Sequence, residues 1–344
     1  MQFGIFDHVD RNDRPLALQL DERIQYVAAA EAAGFYCYHV AEHHAAPINM
    51  VPVPGLFLAA AARATSRIRL GPLVYLLPLY SPLRLIEEIA ILDHLSHGRL
   101  EVGVGRGVSP FELNFHNVSY EESRAIFQDA YAALRAGLTQ EKLSHQGKYF
   151  TYSDVPMELR PLQSPHPPFW YAASNAQSAR WAGEQGCHFA TLGPPAAARA
   201  TIDGFKEGLT KAGGPRVPKP EFTLGTAIGV HRQIFVAETD AEAMALGKPF
   251  HDQHYWSLTK LRRENREYPG FTRSTPDSFE EAVAQRTIIY GSPATVRAEI
   301  ERQTAELGIN YLIGSFFFGK MSLDQALRSM RLFAGEVVPA LARL

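Results

Sequence analysis

The sequence predicts an α/β fold, a (β/α)8 TIM barrel carrying two insertions, on three observations. Eight short runs rich in β-branched and aromatic residues alternate with helical patterns almost to the end of the chain. The 344 residues comfortably exceed the roughly 250 that such a barrel needs. No shift of composition marks a second domain, so residues 1–344 read as one barrel domain.

The strand-like runs are residues 2–6, 36–41, 68–75, 99–104, 168–172, 187–192, 222–236 (with a break) and 310–316. Helical patterns fill the intervals at 21–33, 55–65, 83–95, 120–138, 176–185, 196–212, 240–265, 293–307 and 323–341. In the first of these, Ile24, Val27, Ala28 and Ala32 recur at the spacing of one helix face. Ser292-Pro293 reads as a cap followed by a first-turn proline. The surplus length falls in two insertions. Residues 143–163, with His145-Gln146-Gly147 and proline-rich flanks, read as a hairpin after the fourth helix. Residues 263–285 are polar and turn-rich, a long excursion before the eighth strand of the kind that forms a lid. The main competing arrangement is a doubly wound open sheet.

Bulk composition excludes several function classes. With 46% hydrophobic and 20% charged residues the chain is globular, and a net charge of −2 leaves no electrostatic footprint for nucleic acid or an anionic membrane. Cys37 and Cys187 have neither metal-ligand spacing nor a disulfide framework, and Met1-Gln2-Phe3-Gly4 runs directly into a strand, so a cytoplasmic location is expected. The longest stretch without a charged residue, 43–62, approaches the roughly 20 residues of a membrane span. It is interrupted by His43, His44, Asn49 and by Pro47, Pro52 and Pro54, so no span is expected.

In a barrel the chemistry sits just beyond the C-terminal ends of the strands. Three such ends carry unusual residues. After the second strand comes Ala41-Glu42-His43-His44, whose imidazoles beside a carboxylate suit acid–base chemistry, metal ligation or plain loop packing. No further histidine pair completes a metal shell, although His8 and scattered histidines keep that reading open, and no metal is expected. After the fourth comes Gly103-Val104-Gly105-Arg106-Gly107. Its third glycine is one position early for a dinucleotide fingerprint, and a loop, not a helix, is expected to follow. What remains is either a glycine-rich turn with a surface arginine or a backbone that approaches a ligand, with Arg106 forked onto its phosphate or carboxylate. After the fifth comes Ala172-Ala173-Ser174-Asn175-Ala176-Gln177-Ser178, which enters a helix and offers either ordinary capping or an anion site.

Together these stretches resemble the bacterial luciferase-like monooxygenases from end to end. The resemblance rests on Phe3-Gly4-Ile5-Phe6, on Glu42-His43-His44, and on Leu92-Asp93-His94-Leu95-Ser96-His97-Gly98-Arg99 running into Gly103–Gly107. It continues through Ser123-Arg124-Ala125, through Trp181–Gly186 and through Ser329-Met330-Arg331-Leu332-Phe333. It implies a flavin mononucleotide over the mouth of the barrel. Arg106, Arg124 and Ser178 would hold the phosphate, with backbone from Ser174 and Asn175 nearby. The turn through Leu73-Val74, where the family often carries an unusual peptide bond, and Gly105 would lie against the ring. His43 matches the catalytic histidine, with His44 as the alternative. Such enzymes use reduced flavin, supplied by a separate reductase, and O2 to oxidise a small aldehyde, ketone or similar substrate.

The chemistry needs a closable apolar pocket, which Phe6, Leu73, Tyr75, Leu77 and Phe316-Phe317-Phe318 could line, or which they could instead pack beneath as core. The sequence departs from the light-emitting subunits at Gly105, where they carry cysteine, and at Ser174, where they carry an acid. The 263–285 excursion is also shorter than their mobile loop, so luminescence is not expected. Two rivals share the fold: a deazaflavin-dependent hydride-transfer enzyme and a non-catalytic flavin-binding subunit. A third is a metal-dependent hydrolase. The small apolar helix from Leu56 to Ala62 suits close packing across a two-fold axis, so a homodimer is expected.

Overall fold

In a computed structural model, described over residues 1–265, 276 and 278–341, parallel strands close into a ring around a side-chain-filled interior. β1 (Gln2–Asp7) pairs with β2 (Cys37–Val40), which pairs with β3 (Arg69–Pro72). β4 (Tyr75–Leu76) continues β3 beyond a cis peptide at Leu73-Val74, so the two are halves of one barrel strand. β4 pairs with β5 (Val102–Gly105), and a single bridge from Leu70 to Leu100 closes the seam lower down. The ring continues through β8 (Phe169–Ala172), β9 (His188–Thr191) and β10 (Ile228–Val236) to β12 (Tyr311–Ser315), which returns to β1. That makes eight barrel positions, each built by one of the eight runs expected from sequence.

The helices cover the ring. They are α1 (Leu16–Ala32), α2 (Pro54–Ala64), α3 (Pro82–Leu95), α4 (Pro110–Phe115), α5 (Ser123–Thr139), α6 (Ala176–Glu184) and α7 (Pro195–Ala212). α8 (Asp240–Glu264), α9 (Phe279–Ala284), α10 (Pro293–Leu307) and α11 (Leu323–Leu332) follow. Val27, Leu58, Ile89, Leu134, Ile202 and Ile300 are essentially inaccessible to solvent because each faces the outer side of the ring. The chain rises into α2, α3, α7 and α10 through a proline in the first turn, which needs no N–H partner there.

Several local expectations are corrected. The hairpin expected at 143–163 is β6 (Lys142–Gln146) paired antiparallel with β7 (Thr151–Pro156), shorter and earlier than its span in sequence. The stretch read as loop after Gly107 contains α4, because Ser109 caps it by accepting the Glu112 N–H. The long run 222–236 is strand only from Ile228; before it, Phe222 and Gly225 close a turn. A ninth parallel strand, β11 (Ile288–Gly291), was not anticipated. It pairs with the second half of β10, residues 233–236, while residues 228–233 of β10 hold β9 and β12. The last helical pattern, 323–341, is α11 followed by a π-helical turn at Phe333–Val337. Residues 266–275 and 277, in the excursion expected to act as a lid, lie outside the described residues. Among the described residues no helix is long and apolar enough to cross a membrane.

Candidate active site

The strand ends meet at the mouth of the ring, and β2 supplies the first functional group. Beyond Val40 the chain carries Glu42, whose buried carboxylate accepts the Leu76 N–H (3.0 Å), the Tyr80 hydroxyl (3.0 Å) and the His44 Nε2–H (2.9 Å). It thereby ties the histidine loop to β4. Burial pushes the Glu42 carboxyl above its usual range, with those three donors opposing. His43 turns the other way and donates from Nδ1 to Glu112 Oε1 at 3.1 Å, while Glu112 Oε2 accepts the His44 N–H at 2.8 Å. Burial alone would lower the His43 pKa, but the charge and hydrogen bond of Glu112, with Glu42 behind, more than offset it and raise it. Reciprocally, the His43 and His44 contacts outweigh burial at Glu112 and hold its carboxyl below the usual range. With Nδ1–H committed to Glu112, the second nitrogen of His43 is the one left for a ligand.

The two adjacent histidines therefore part company. His43 lines a cleft of 490 Å³, whereas His44 binds Glu42, packs edge-on against His116 with centroids 4.5 Å apart, and does not line it. The same cleft brings together Leu73, Val74, Gly105, Arg106, Arg124, Ser174, Asn175 and Ser178, all of the remaining residues singled out from sequence. Gly105 leaves room for a neighbouring side chain: a Cβ there would sit 2.4 Å from Val74 Cγ2, so Val74 would have to shift to admit one.

At the far end of the cleft the surroundings are cationic and open. Arg106, from the β5 end, lies over the Tyr120 ring (4.8 Å) and donates from Nη2 to its hydroxyl (3.3 Å). Arg124, in the first turn of α5, is exposed, and neither arginine forms an ion pair among the described residues. Burial raises the pKa of the Tyr171 phenol, and Arg106, Arg124 and Ser178 all oppose it, so the three groups converge on that ring. Asn175 caps α6 by accepting the Ser178 N–H at 2.9 Å, leaving the N–H groups of Ala176 and Gln177 directed out of the helix start. Two guanidiniums without an ion pair among the described residues, a hydroxyl and a helix N-terminus fit a phosphate.

Of the apolar lining expected, Phe6 and Leu73 face the cleft, joined by Leu76. Tyr75, Leu77, Phe316, Phe317 and Phe318 are core. Sequence reading missed Glu112 and named His8 only as a scattered candidate for a metal. Glu112 was legible, since Ser109-Pro110-Phe111-Glu112 is the pattern of a capped helix start just after a barrel strand. His8, directly beyond β1, stacks on His43 with centroids 5.7 Å apart and planes 23° apart; only its place at a strand end signals it. Among the described residues no cluster of side chains is arranged to hold a metal ion.

Known proteins agree with this architecture. The chain is 35% identical to an uncharacterized protein of Sinorhizobium fredii, y4wF, over 98% of its own length and 96% of that protein. Over 199 residues, 55% of this chain and 53% of the relative, it is 32% identical to the oxygenase component of the flavin-dependent trigonelline monooxygenase of Acinetobacter baylyi. The crystal structure of monooxygenase RslO1 from Streptomyces bottropensis superposes with a TM-score of 0.88 at 27% identity, covering 99% of this chain and all of that one. Residues 1–311 match the family described as luciferase-like monooxygenase, and the chain belongs to that family.

Proposed function

We propose that this protein is the oxygenase of a two-component flavin monooxygenase, binding reduced FMN from a separate reductase and using O2 to oxidise a small organic substrate. The observation that carries the reading is the polarity of one cleft: Arg106 and Arg124, without ion pairs among the described residues, with the start of α6 at one end, and a carboxylate-buttressed His43 at the other. Arg106, Arg124, the Ser178 hydroxyl and the α6 N–H groups hold the phosphate. Leu73, Val74 and Gly105 form the surface on which a planar ring rests. Reduced FMN, when bound, supplies the electrons that activate oxygen. Phe6, Leu73 and Leu76 keep water from that end of the cleft, and His43, oriented by Glu112 through Nδ1, keeps its second nitrogen for a general acid–base role.

The test is single-turnover oxidation of reduced FMN under 18O2 with a panel of aldehydes, ketones and cyclic substrates. Incorporation of one labelled oxygen into product supports the reading. Turnover with a reduced deazaflavin and no label in product would replace it with hydride transfer, and tight flavin binding without turnover would replace it with a binding subunit. The surface also favours a homodimer: Leu56, at the start of α2, is 75% exposed, and Val53 just before that helix and Ile91 on α3 are exposed too.

A further inference from the structure

β1 brings two rings to the mouth of the barrel. Residues two apart on a strand share a face, so Phe6 and His8 stand together, while Asp7 between them points away to the buried Arg23 of α1 at 2.9 Å. The Val9 N–H then returns to Asp7 Oδ1 (2.8 Å) and ends the strand. His8 is half-buried and makes no hydrogen bond at either ring nitrogen among the described residues. Rings hold it instead. Its centroid lies 4.7 Å from Phe6 at 79° and 5.2 Å from His254 of α8 at 63°, both edge contacts. Those neighbours are themselves anchored. His254 Nδ1 meets the buried Asp10 carboxylate (2.9 Å), and Phe6 is met edge-on by His231 of β10 (5.1 Å), whose Nε2 lies 2.9 Å from the Ser315 hydroxyl.

The remaining neighbour of His8 is His43. The two rings are stacked, 5.7 Å apart between centroids and 23° from parallel, and no hydrogen bond joins them. A proton passes between imidazoles along a hydrogen bond, which lies in the plane of the rings, so this contact is not a relay. What a stacked contact does is restrict rotation. His43 is tethered at one point, Nδ1 to Glu112 Oε1 at 3.1 Å, and the last torsion of a histidine is intrinsically broad. One tether leaves the opposite nitrogen free to swing; a flat neighbour against the ring narrows that arc. The neighbour must also be uncharged, because Glu112 and Glu42 favour the protonated form of His43. His8 meets this condition: burial, then the charges of His254, His43 and His231, keep its pKa well below the ordinary value.

We propose that His8 is a positioning residue, whose ring backs the face of His43 and fixes the direction in which the second nitrogen of His43 meets the flavin and substrate. The consequence for chemistry rests on the flavin oxygenase reading; the contact between the two rings does not. Edge and face of one imidazole are held by different elements, Glu112 of α4 gripping Nδ1 and His8 from the end of β1 lying against the plane. No other ring stacks on His43 among the described residues, so alanine at position 8 would leave that face bare. His8 also shields His43 from water. Burial is the largest influence on the His43 pKa and acts downward, so removing the His8 ring raises that pKa, the opposite sign from loss of Glu112.

Two variants separate the face of the ring from its nitrogens. His8→Ala removes both, and His8→Phe keeps a flat, uncharged face without a nitrogen. In flavin-free protein, NMR titration of the His43 ring should show a raised pKa in His8→Ala and the wild-type value in His8→Phe. In turnover with reduced FMN and O2, His8→Ala should lower product formation roughly ten- to a hundredfold, the scale of a misplaced reacting group. Hydrogen peroxide should form in its place with FMN affinity unchanged, and His8→Phe should restore product. A His8→Phe variant as impaired as His8→Ala would assign the work to a nitrogen of His8 and overturn the proposal. So would a His43 pKa that stays or falls in His8→Ala, or one that rises with product undiminished. If the wild type itself does not turn over with FMN, the titration alone decides. A raised pKa reversed by phenylalanine then upholds the backing of His43 and removes only the flavin reading.

Discussion

The two ends of the cleft are built on opposite electrostatic plans. At the α5–α6 end, Arg106 and Arg124 stand without counter-ions among the described residues and the helix start points N–H groups outward, so the charge there is open to a ligand. At the β2–α4 end every charge is already answered: Glu112 by His43 and the His44 N–H, Glu42 by His44, Tyr80 and Leu76. An open set of cations selects what binds. A closed set of acid–imidazole pairs fixes where a proton resides, whether or not anything is bound.

If that division holds, the largest effect belongs to the proton end. His43→Ala should lower product formation by about 10²-fold, the usual scale for a general acid or base, with FMN affinity nearly intact. His44→Ala, measured beside it for both product and hydrogen peroxide, should cost much less because that ring faces away from the cleft; the reverse order would place the working imidazole at 44. Next comes the phosphate end. Arg106→Ala should weaken FMN binding roughly ten- to a hundredfold, the worth of a charge-assisted contact of about 1.5–3 kcal/mol, and leave riboflavin binding unchanged. Equal losses for both ligands would take Arg106 off the phosphate.

A smaller effect sharpens the comparison. Glu112→Gln removes the charge that holds the His43 pKa up, so that pKa should fall, visible by NMR titration of the ring. If the protonated form is the working one, the alkaline limb of product formation moves to lower pH. The pair also contributes a window of stability. The raised His43 contributes below its unfolded pKa and loses this as pH rises through the folded value. The depressed Glu112 contributes above its unfolded pKa and loses this as pH falls through the folded one. The stability gap between wild type and Glu112→Gln should therefore be widest between those limits; a gap that does not vary with pH would show the pair is not ionised. The smallest effect on chemistry is expected at the surface: Leu56→Glu should yield a monomer by light scattering with FMN affinity unchanged.

The ring itself was legible because strand periodicity and the residues just past each strand end are local signals. All eight barrel strands, the hairpin and most of the cleft residues follow from them. What was not legible depends on partners distant in sequence. That His43 pairs with Glu112, not with the adjacent Glu42, is decided by α4, 69 residues on. Gly105 reads as a departure from a family pattern until Val74 is seen against it. β11 is four residues, Ile288–Gly291, too short to show any periodicity, and only pairing with β10 makes it a strand. His8 has no motif at all.

The split pairing of β10 sets one connection apart from the ring. Its first half is committed to the barrel through β9 and β12, while its second half projects past them and is completed by β11. Everything between Val236 and Ile288 thus starts and ends on one two-stranded mount outside the load borne by the ring. A segment of different length joined there would leave the pairing of β10 with β9 and β12 in register, so the length of that connection is decoupled from the closure of the barrel.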